Sequence, residues 1–413
     1  VLSMEILSFP VGLVMGVVPV VMSLSPSESP AKLTLDGKEQ CTLTWQAREC
    51  RVDLGPQPQV HLLELTDAKG ERVFRWINHP CIGPEVFVRV EKEPTGWWVT
   101  WGTGHPTKLA PSEAWIGSGG FVARITPGKR FLLPGSVTAS GWFYLRALFP
   151  DGSAGERLVF FQDTAFRDSA AAVLGRLLVR CDQNCTLPES LFNFKVRMGE
   201  PVAPLLAVVG HPATLQAWLG KAWSVTGEVF LSRGRQELAI LSKSLPDLGA
   251  VIAVGATDEL PLVYRSIGTN GPLPRHADLL QLLTRMPFKT RYEARRLLDA
   301  AAIAAFRAAA WPGPRALVVF VGNEKDKSQV SWDGLQQYLK QIQVPLHLWV
   351  VGSRPAPFGG KGKNVLRPLA LQEAAAALAQ DLRTQRLLWL EGDVRPWTLP
   401  AELSEGLRVV GPE

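Results

Sequence analysis

The chain has no long run of basic residues. Its formal net charge of +6 is spread over 413 residues, and neither zinc-finger spacing nor an interleaved aromatic and basic signature occurs, so nucleic acid is not expected as a partner. Nor does the sequence hold a G-x-S-x-G elbow, an H-E-x-x-H helix or a phosphate loop, and their absence removes the reaction classes that those motifs mark. Cysteine is scarce: Cys41, Cys50 and Cys81 stand early, and Cys181 and Cys185 follow in "CDQNC". A C-x3-C spacing without a nearby histidine makes a poor zinc site, so neither a metal nor another cofactor is expected. In an oxidising compartment, the close pair Cys181 and Cys185 is expected to close a tight loop. Two of the first three would then bridge strands, and the odd count leaves one cysteine unpaired.

What the sequence does contain is globular in composition, with 46% apolar and 20% charged residues. Single cores rarely exceed about 250–300 residues, so a chain of this length is expected to be multidomain. From Ile6 to Pro26 no residue is charged. Such a stretch approaches the length of a membrane span or an export signal, and residues 1–30 are expected to be one or the other. The only membrane contact would be through this segment. Pro10 and Pro19 argue against a straight helix, and buried strands of a first domain are the alternative. With export come an expected secreted, periplasmic or cell-surface location and an extracellular role.

Residues 31–165 alternate with period two. "QVHLLELTD", "VFVRVEKE", "GWWVTWG" and "WFYLRALFPDGS" are short runs punctuated by Gly, Pro and Asp, as in an Ig-like β-sandwich. Trp97, Trp98 and Trp101, with Trp115 beyond, have two readings. They form a sugar-stacking face, making carbohydrate a ligand, or they fill the sandwich core and its rim. Residues 166–200 read as a β-rich connector. From 201 to 395 strands alternate with helices: buried strands at 203–209 and 316–321, a hairpin formed by 249–254 and 260–267, a helix over 332–341, strands at 345–351 and 386–390, and a helix between those two. This order predicts a doubly wound, Rossmann-like α/β domain with a mostly parallel sheet, followed by a C-terminal tail, 396–413.

That order and particular residues resemble the von Willebrand factor A (VWA) family, more narrowly the VWA-related proteins abundant in Acidobacteria. "LPESLFNFKVRMGEP" (187–201) is similar to that group's lead-in, with Asn193 in an Asp position beside Phe194, and "GLQQYLKQIQVPLHLWVVG" (334–352) is similar to its helix and strand. The resemblance implies a metal-ion-dependent adhesion site on the carboxyl edge of the sheet, where ligands of open α/β folds bind. Carried over, Gly210 stands in place of the first Asp, Pro212 in place of the first Ser, and Thr214 keeps a hydroxyl. Thr290 takes the loop Thr position and Asn323 that of the last Asp, with Asp326 three residues on. Without both carboxylates the site is expected to be degenerate and to bind no magnesium, which gives up its water reluctantly.

The expected function is therefore noncatalytic: an exported protein–protein interaction or surface-assembly protein, held in a larger assembly with protein partners. Two alternatives remain from the sequence. One is an extracellular carbohydrate-binding protein; the other is a hydrolase-like enzyme in which His211, Asn323 and Asp326 meet at the sheet edge, with His211 as base.

Overall fold

The computed structural model describes residues 4–8, 13–70, 72–79, 85–104, 109–118, 121–140, 142–150, 154–160, 174–181, 185, 188–191, 194–198, 203–219, 240–241, 243–245, 248–256, 262–267, 296–311, 313–323, 326–352, 362–391, 396–404 and 406–412. Among the described residues strand dominates and helices are few.

Strands β1 (Glu5–Ser8), β2 (Val17–Ser23), β3 (Ala31–Leu35), β4 (Lys38–Leu43), β5 (Glu49–Asp53), β6 (His61–Thr66) and β7 (Arg72–Ile77) form two antiparallel sheets, ordered β1-β2-β5 and β4-β3-β6-β7. Their inward residues share one core that includes Val20, Met22, Leu33, Leu63, Leu65 and Ile77. Over its described residues the apolar start is sandwich strand. In β2, Val18, Val20 and Met22 point into that core while Val17 is 62% exposed. The run imitates a span because its outward positions are apolar too. No described helix is long and apolar enough to cross a membrane. A disulfide, Cys41–Cys50, ties β4 of one sheet to β5 of the other.

A second pair of sheets follows where one sandwich over 31–165 is expected. Strands β8 (Glu85–Glu93), β9 (Gly96–Gly104), β10 (Glu113–Ser118), β11 (Phe121–Ile125), β12 (Phe131–Leu132), β13 (Trp142–Leu148) and β14 (Ala154–Phe160) are ordered β12-β9-β8 and β11-β10-β13-β14, and the short helix α1 (Gly135–Ser140) precedes β13. Their core, with Val99, Trp101, Ile116, Phe143 and Leu145, is separate from the first. Strands β15 (Leu174–Cys181), β16 (Ser190–Leu191) and β17 (Phe194–Met198) come next.

The α/β unit contains β18 (Leu205–Gly210), β19 (Ala250–Gly255), β20 (Leu262–Ile267), β21 (Arg315–Val321), β22 (Leu346–Val350) and β23 (Lys363–Asn364), in the order β20-β19-β18-β21-β22-β23. All neighbours are parallel except β19 and β20, which pair antiparallel at one edge. Every residue of β18 and β21 is buried, as a strand covered on both faces must be. One face packs on α3 (Leu297–Ala309) and α4 (Trp332–Gln341), and the other on α2 (Pro212–Leu219) and α5 (Pro368–Thr384). Alanines 301, 304, 305 and 308 bring α3 close to the sheet.

Strand β24 (Gln385–Glu391), expected as the last strand of the parallel sheet, leaves it. With β25 (Glu402–Ser404) and β26 (Leu407–Val409) it joins an antiparallel sheet ordered β16-β17-β24-β15-β26-β25. Connector and tail are therefore one structural element.

The first sandwich is fastened to α4. Gln57 Oε1 accepts hydrogen bonds from the Ser331 N–H (2.8 Å) and hydroxyl (3.0 Å), so a distant side chain helps to cap α4. Val60 N–H donates to Gln341 Oε1 (2.8 Å), and the buried Tyr338 hydroxyl donates to Asn78 O (2.9 Å). Gly334 leaves the room that Gln57 needs, since a Cβ there would collide with it.

Candidate functional site

Strands β18, β21 and β22 end side by side, and their loops bring Gly210, His211, Asn323 and Gly352 to the carboxyl edge of the sheet. At the end of β18 the chain is closed in. A Cβ on Gly210 would stand 2.8 Å from Leu215 Cγ and 3.1 Å from Phe320 Cβ, both in the core. Any larger side chain there, a carboxylate included, must displace Leu215 or Phe320 from close packing.

His211, only 4% exposed, caps α2. Its carbonyl accepts from Leu215 N–H (3.0 Å) and its Nδ1 accepts from Ala213 N–H (3.1 Å). An accepting Nδ1 is unprotonated, so the lone pair that a base would use is engaged by the helix end. Thr214 lies one residue beyond Ala213. Its Oγ1 is buried without a hydrogen-bond partner among the described residues. Thr290 lies outside the described residues.

The loop after β21 holds the start of a helix. Asp326 Oδ1 accepts from Leu297 N–H (2.9 Å), from Ser328 N–H (3.2 Å) and from the Ser328 hydroxyl (2.7 Å). Ser328 Oγ in turn accepts from Leu298 N–H (2.9 Å) and Asp299 N–H (3.1 Å). Three amides that the first turn of α3 leaves without intrahelical partners are thus satisfied by one loop, and a carboxylate sits at the positive end of the helix dipole. Asp299 returns the contact, accepting from Val330 N–H (2.9 Å), Gln329 N–H (3.3 Å) and Arg296 Nε (2.5 Å). Asn323 is exposed and lies against Gly352, where a Cβ would be 3.5 Å from its Oδ1; Gly352 has φ +143°, which favours glycine.

Among the described residues this edge offers little to a divalent ion: an acid at position 210 would collide with Leu215 and Phe320, and the described carboxylate of the loop after β21, Asp326, faces amide donors. Among the described residues no group of three or more His, Cys, Asp or Glu side chains is placed to hold a metal. His211 and Asp326 cap different helices, α2 and α3. The Asp326 cap has no local sequence signature, because the amide it serves is 29 residues earlier in the chain.

The tryptophans divide between the two faces of β9. Trp101 is buried in the second sandwich and donates from Nε1 to Lys129 O (3.1 Å). Trp97 packs against the same core with Lys92 Nζ 5.6 Å from its ring centre. Trp98 faces outward, with the Arg130 guanidinium 4.6 Å over its ring and its Nε1 donating to Thr95 Oγ1 (2.9 Å). Arg130 also pairs with Glu93. All three rings have structural neighbours. Cys181 and Cys185 are joined as a disulfide, and Cys81 lies outside the described residues.

No family model matches the chain, and no curated protein matches it. Among solved structures it has a weak likeness to the SpRpn10 VWA domain, with TM-score 0.26, 13% identity, and coverage of 42% of this chain and 82% of that one. Fibronectin(III)-like modules of Clostridium thermocellum CbhA match with TM-score 0.15 and 11% identity over 38% of this chain and 94% of theirs. The Bacteroides ovatus mixed-linkage glucan utilization locus protein SGBP-B, in complex with a mixed-linkage heptasaccharide, matches with TM-score 0.13 and 10% identity over 48% and 86%. Likenesses of this strength do not fix a family.

Proposed function

We propose that the chain is a noncatalytic, exported interaction protein: β-sandwiches joined to a VWA-like α/β unit whose adhesion site has become structural, working within a larger surface assembly. The observation that carries this reading is the use of the polar side chains at the sheet edge. His211, Asp326 and Ser328, the groups best placed for chemistry there, act as helix caps. The Cys41–Cys50 and Cys181–Cys185 bridges support an oxidising compartment. Fixed contacts between the first sandwich and α4 suit a protein that presents surfaces rather than one that opens and closes around a substrate.

The test uses native material isolated at low salt, sized and cross-linked, with thiols mapped by mass spectrometry. The expected result is a particle larger than one chain, with these two cysteine pairs oxidised. His211→Asn, which keeps a good capping side chain, separates the rival reading. A bare monomer whose turnover of a substrate disappears in His211→Asn, at unchanged melting temperature, would replace this proposal with an enzyme.

A further inference from the structure

Among the described residues six large apolar side chains are exposed: Val17, Trp45, Leu109, Leu132, Leu366 and Leu369. Leu366 and Leu369 are the two that stand within one helical turn's spacing in sequence. Leu366 is 42% exposed just before α5, and Leu369 is 68% exposed in its first turn. Single exposed leucines are ordinary. This pair, however, follows in the chain within five residues of Asn364 in β23, an edge strand whose outer side no described strand covers. Val365 N–H donates inward to Val350 O (3.0 Å), so by the alternation of a parallel strand the main-chain N–H and C=O of Asn364 face outward. The Asn364 side chain fixes the edge, donating to Gly352 O (2.7 Å) and accepting from Leu366 N–H (3.0 Å).

Among the described residues of this edge the charge has one sign. Lys363 and Arg367 are exposed, and the first turn of α5 has no acidic residue; the next acid along the helix is Glu373. A two-residue edge strand bearing lysine keeps identical edges from pairing. A second copy would set Lys363 and Arg367 against their own kind. An acidic strand meets no such repulsion, so the charge that excludes one occupant selects the other.

Resting on the interaction-protein reading, we infer that the edge formed by Lys363, Asn364, Leu366, Arg367 and Leu369 docks an extended segment of a partner protein in which carboxylates alternate with apolar side chains. The partner's main chain meets Asn364, its apolar side chains cover Leu366 and Leu369, and its carboxylates reach Lys363 and Arg367. A short edge supplies few main-chain bonds, so most of the discrimination comes from these side chains.

The experiment uses the full chain and two fluorescent nine-residue peptides, one alternating glutamate with valine and the other lysine with valine, followed by anisotropy at low salt. Saturable binding of the acidic peptide alone is expected. Leu366→Ser with Leu369→Ser weakens it about tenfold, and Lys363→Glu with Arg367→Glu reverses the preference toward the basic peptide. All four positions are exposed, so melting temperatures should hold and a folding defect would be visible as a shift. No saturable binding of the acidic peptide, or binding indifferent to both double variants, overturns the inference. Concentration-dependent dimerisation that is lost in the double serine variant overturns it too, naming a second copy as the occupant. If the native particle persists in the double serine variant, the interaction reading stands and this edge is not its contact.

Discussion

Replacing Ser328 by alanine removes the acceptor for two amides at the start of α3, Leu298 and Asp299, and the hydroxyl that braces Asp326. Loss of a capping hydroxyl typically costs about 1 kcal/mol, within a range of about 0.5–2. Asp326→Ala removes a charged acceptor from Leu297 N–H and from Ser328, and hydrogen bonds to charged groups are worth about 1.5–3 kcal/mol. Asp326→Asn keeps an oxygen in place and loses the interaction with the helix dipole, about 0.3–1 kcal/mol. The expected order of damage is therefore Asp326→Ala, then Ser328→Ala, then Asp326→Asn. The double alanine variant should fall short of the sum, because the two residues share one bond.

A chain with several separate cores need not unfold in one step, so the assay is native-state hydrogen exchange at Leu297, Leu298 and Asp299. An opening made easier by about 1–2 kcal/mol accelerates exchange about 5–30-fold there and leaves β2 and β9 unchanged. Unchanged exchange in both alanine variants would refute the cap. A fall in wild-type protection at Leu297 on adding Mg²⁺ would show Asp326 turned from the amide to a metal and would contradict the closed edge.

Gly210→Ala overpacks against Leu215 and Phe320 and should cost about 1–3 kcal/mol in urea denaturation; Gly210→Asp with Asn323→Asp should give a destabilised protein and flat calorimetry with Mg²⁺ or Mn²⁺, and a magnesium affinity in the micromolar range would contradict the closed edge. Burial alone would raise the Asp381 carboxyl, but hydrogen bonds from His347 and Arg180, with their charges, outweigh it and hold the group below its ordinary value. A depressed folded value contributes stability that is complete above the unfolded carboxylate value of about 3.9 and is lost as pH falls below it through the folded value; Asp381→Asn should shrink the difference in urea midpoint between pH 7 and pH 3, and an unchanged difference would count against it. Trp101→Ala, in the core, should cost about 3–5 kcal/mol, whereas Trp98→Ala removes an outward ring under Arg130 and should cost less; loss of retention on a glycan array in Trp98→Ala at unchanged melting temperature would restore the sugar-stacking reading.

The central elements were legible because their burial is uniform. Leu205–Gly210 and Arg315–Val321 are fully buried strands, and within them Leu205–Val209 and Ala316–Val321 read as unbroken apolar runs. The helix expected over 332–341 spans Trp332–Gln341, with Ser331 as its cap and Leu335, Tyr338 and Leu339 buried. Turn chemistry between 255 and 262 marked the antiparallel pair β19 and β20. An apolar run does not say which sheet will take it, and there the sequence reading failed. "RLLWL" looks the same in either sheet, yet β24 pairs with β15 and β17, whose residues lie about two hundred positions earlier. The strands of the N-terminal run were hidden for a related reason: period-two burial is invisible when both faces are apolar.

Asp326 marks a different limit. A local cap shows itself as a polar residue just before a helix, but here the capping loop and the helix it serves are separated in sequence. Side chains standing in for main chain are equally hidden at the opposite, amino edge of the sheet. Gln343, buried and at φ 55°, accepts from Leu178 N–H (3.1 Å) and donates to Leu178 O (2.8 Å), taking the place of a strand beside β15. Gln385 does the same for Arg315, accepting from its N–H (2.9 Å) and donating to its O (3.1 Å). The buried Arg315 guanidinium donates to Trp311 O, Ile342 O and Gln343 O. Buried polar groups with their partners in place favour one arrangement, since any other would strand them. The α/β unit is thereby joined to the β15–β24 sheet at its amino edge, fastened to the first sandwich through α4, and closed by helix caps at its carboxyl edge. An edge serving as the mouth of an enzyme would need reactive side chains free to change partners during turnover. The described ones, His211, Asp326 and Ser328, are engaged as helix caps, and on the proposed reading recognition falls to surfaces the frame leaves open, of which the β23 edge has a defined charge and an exposed apolar pair.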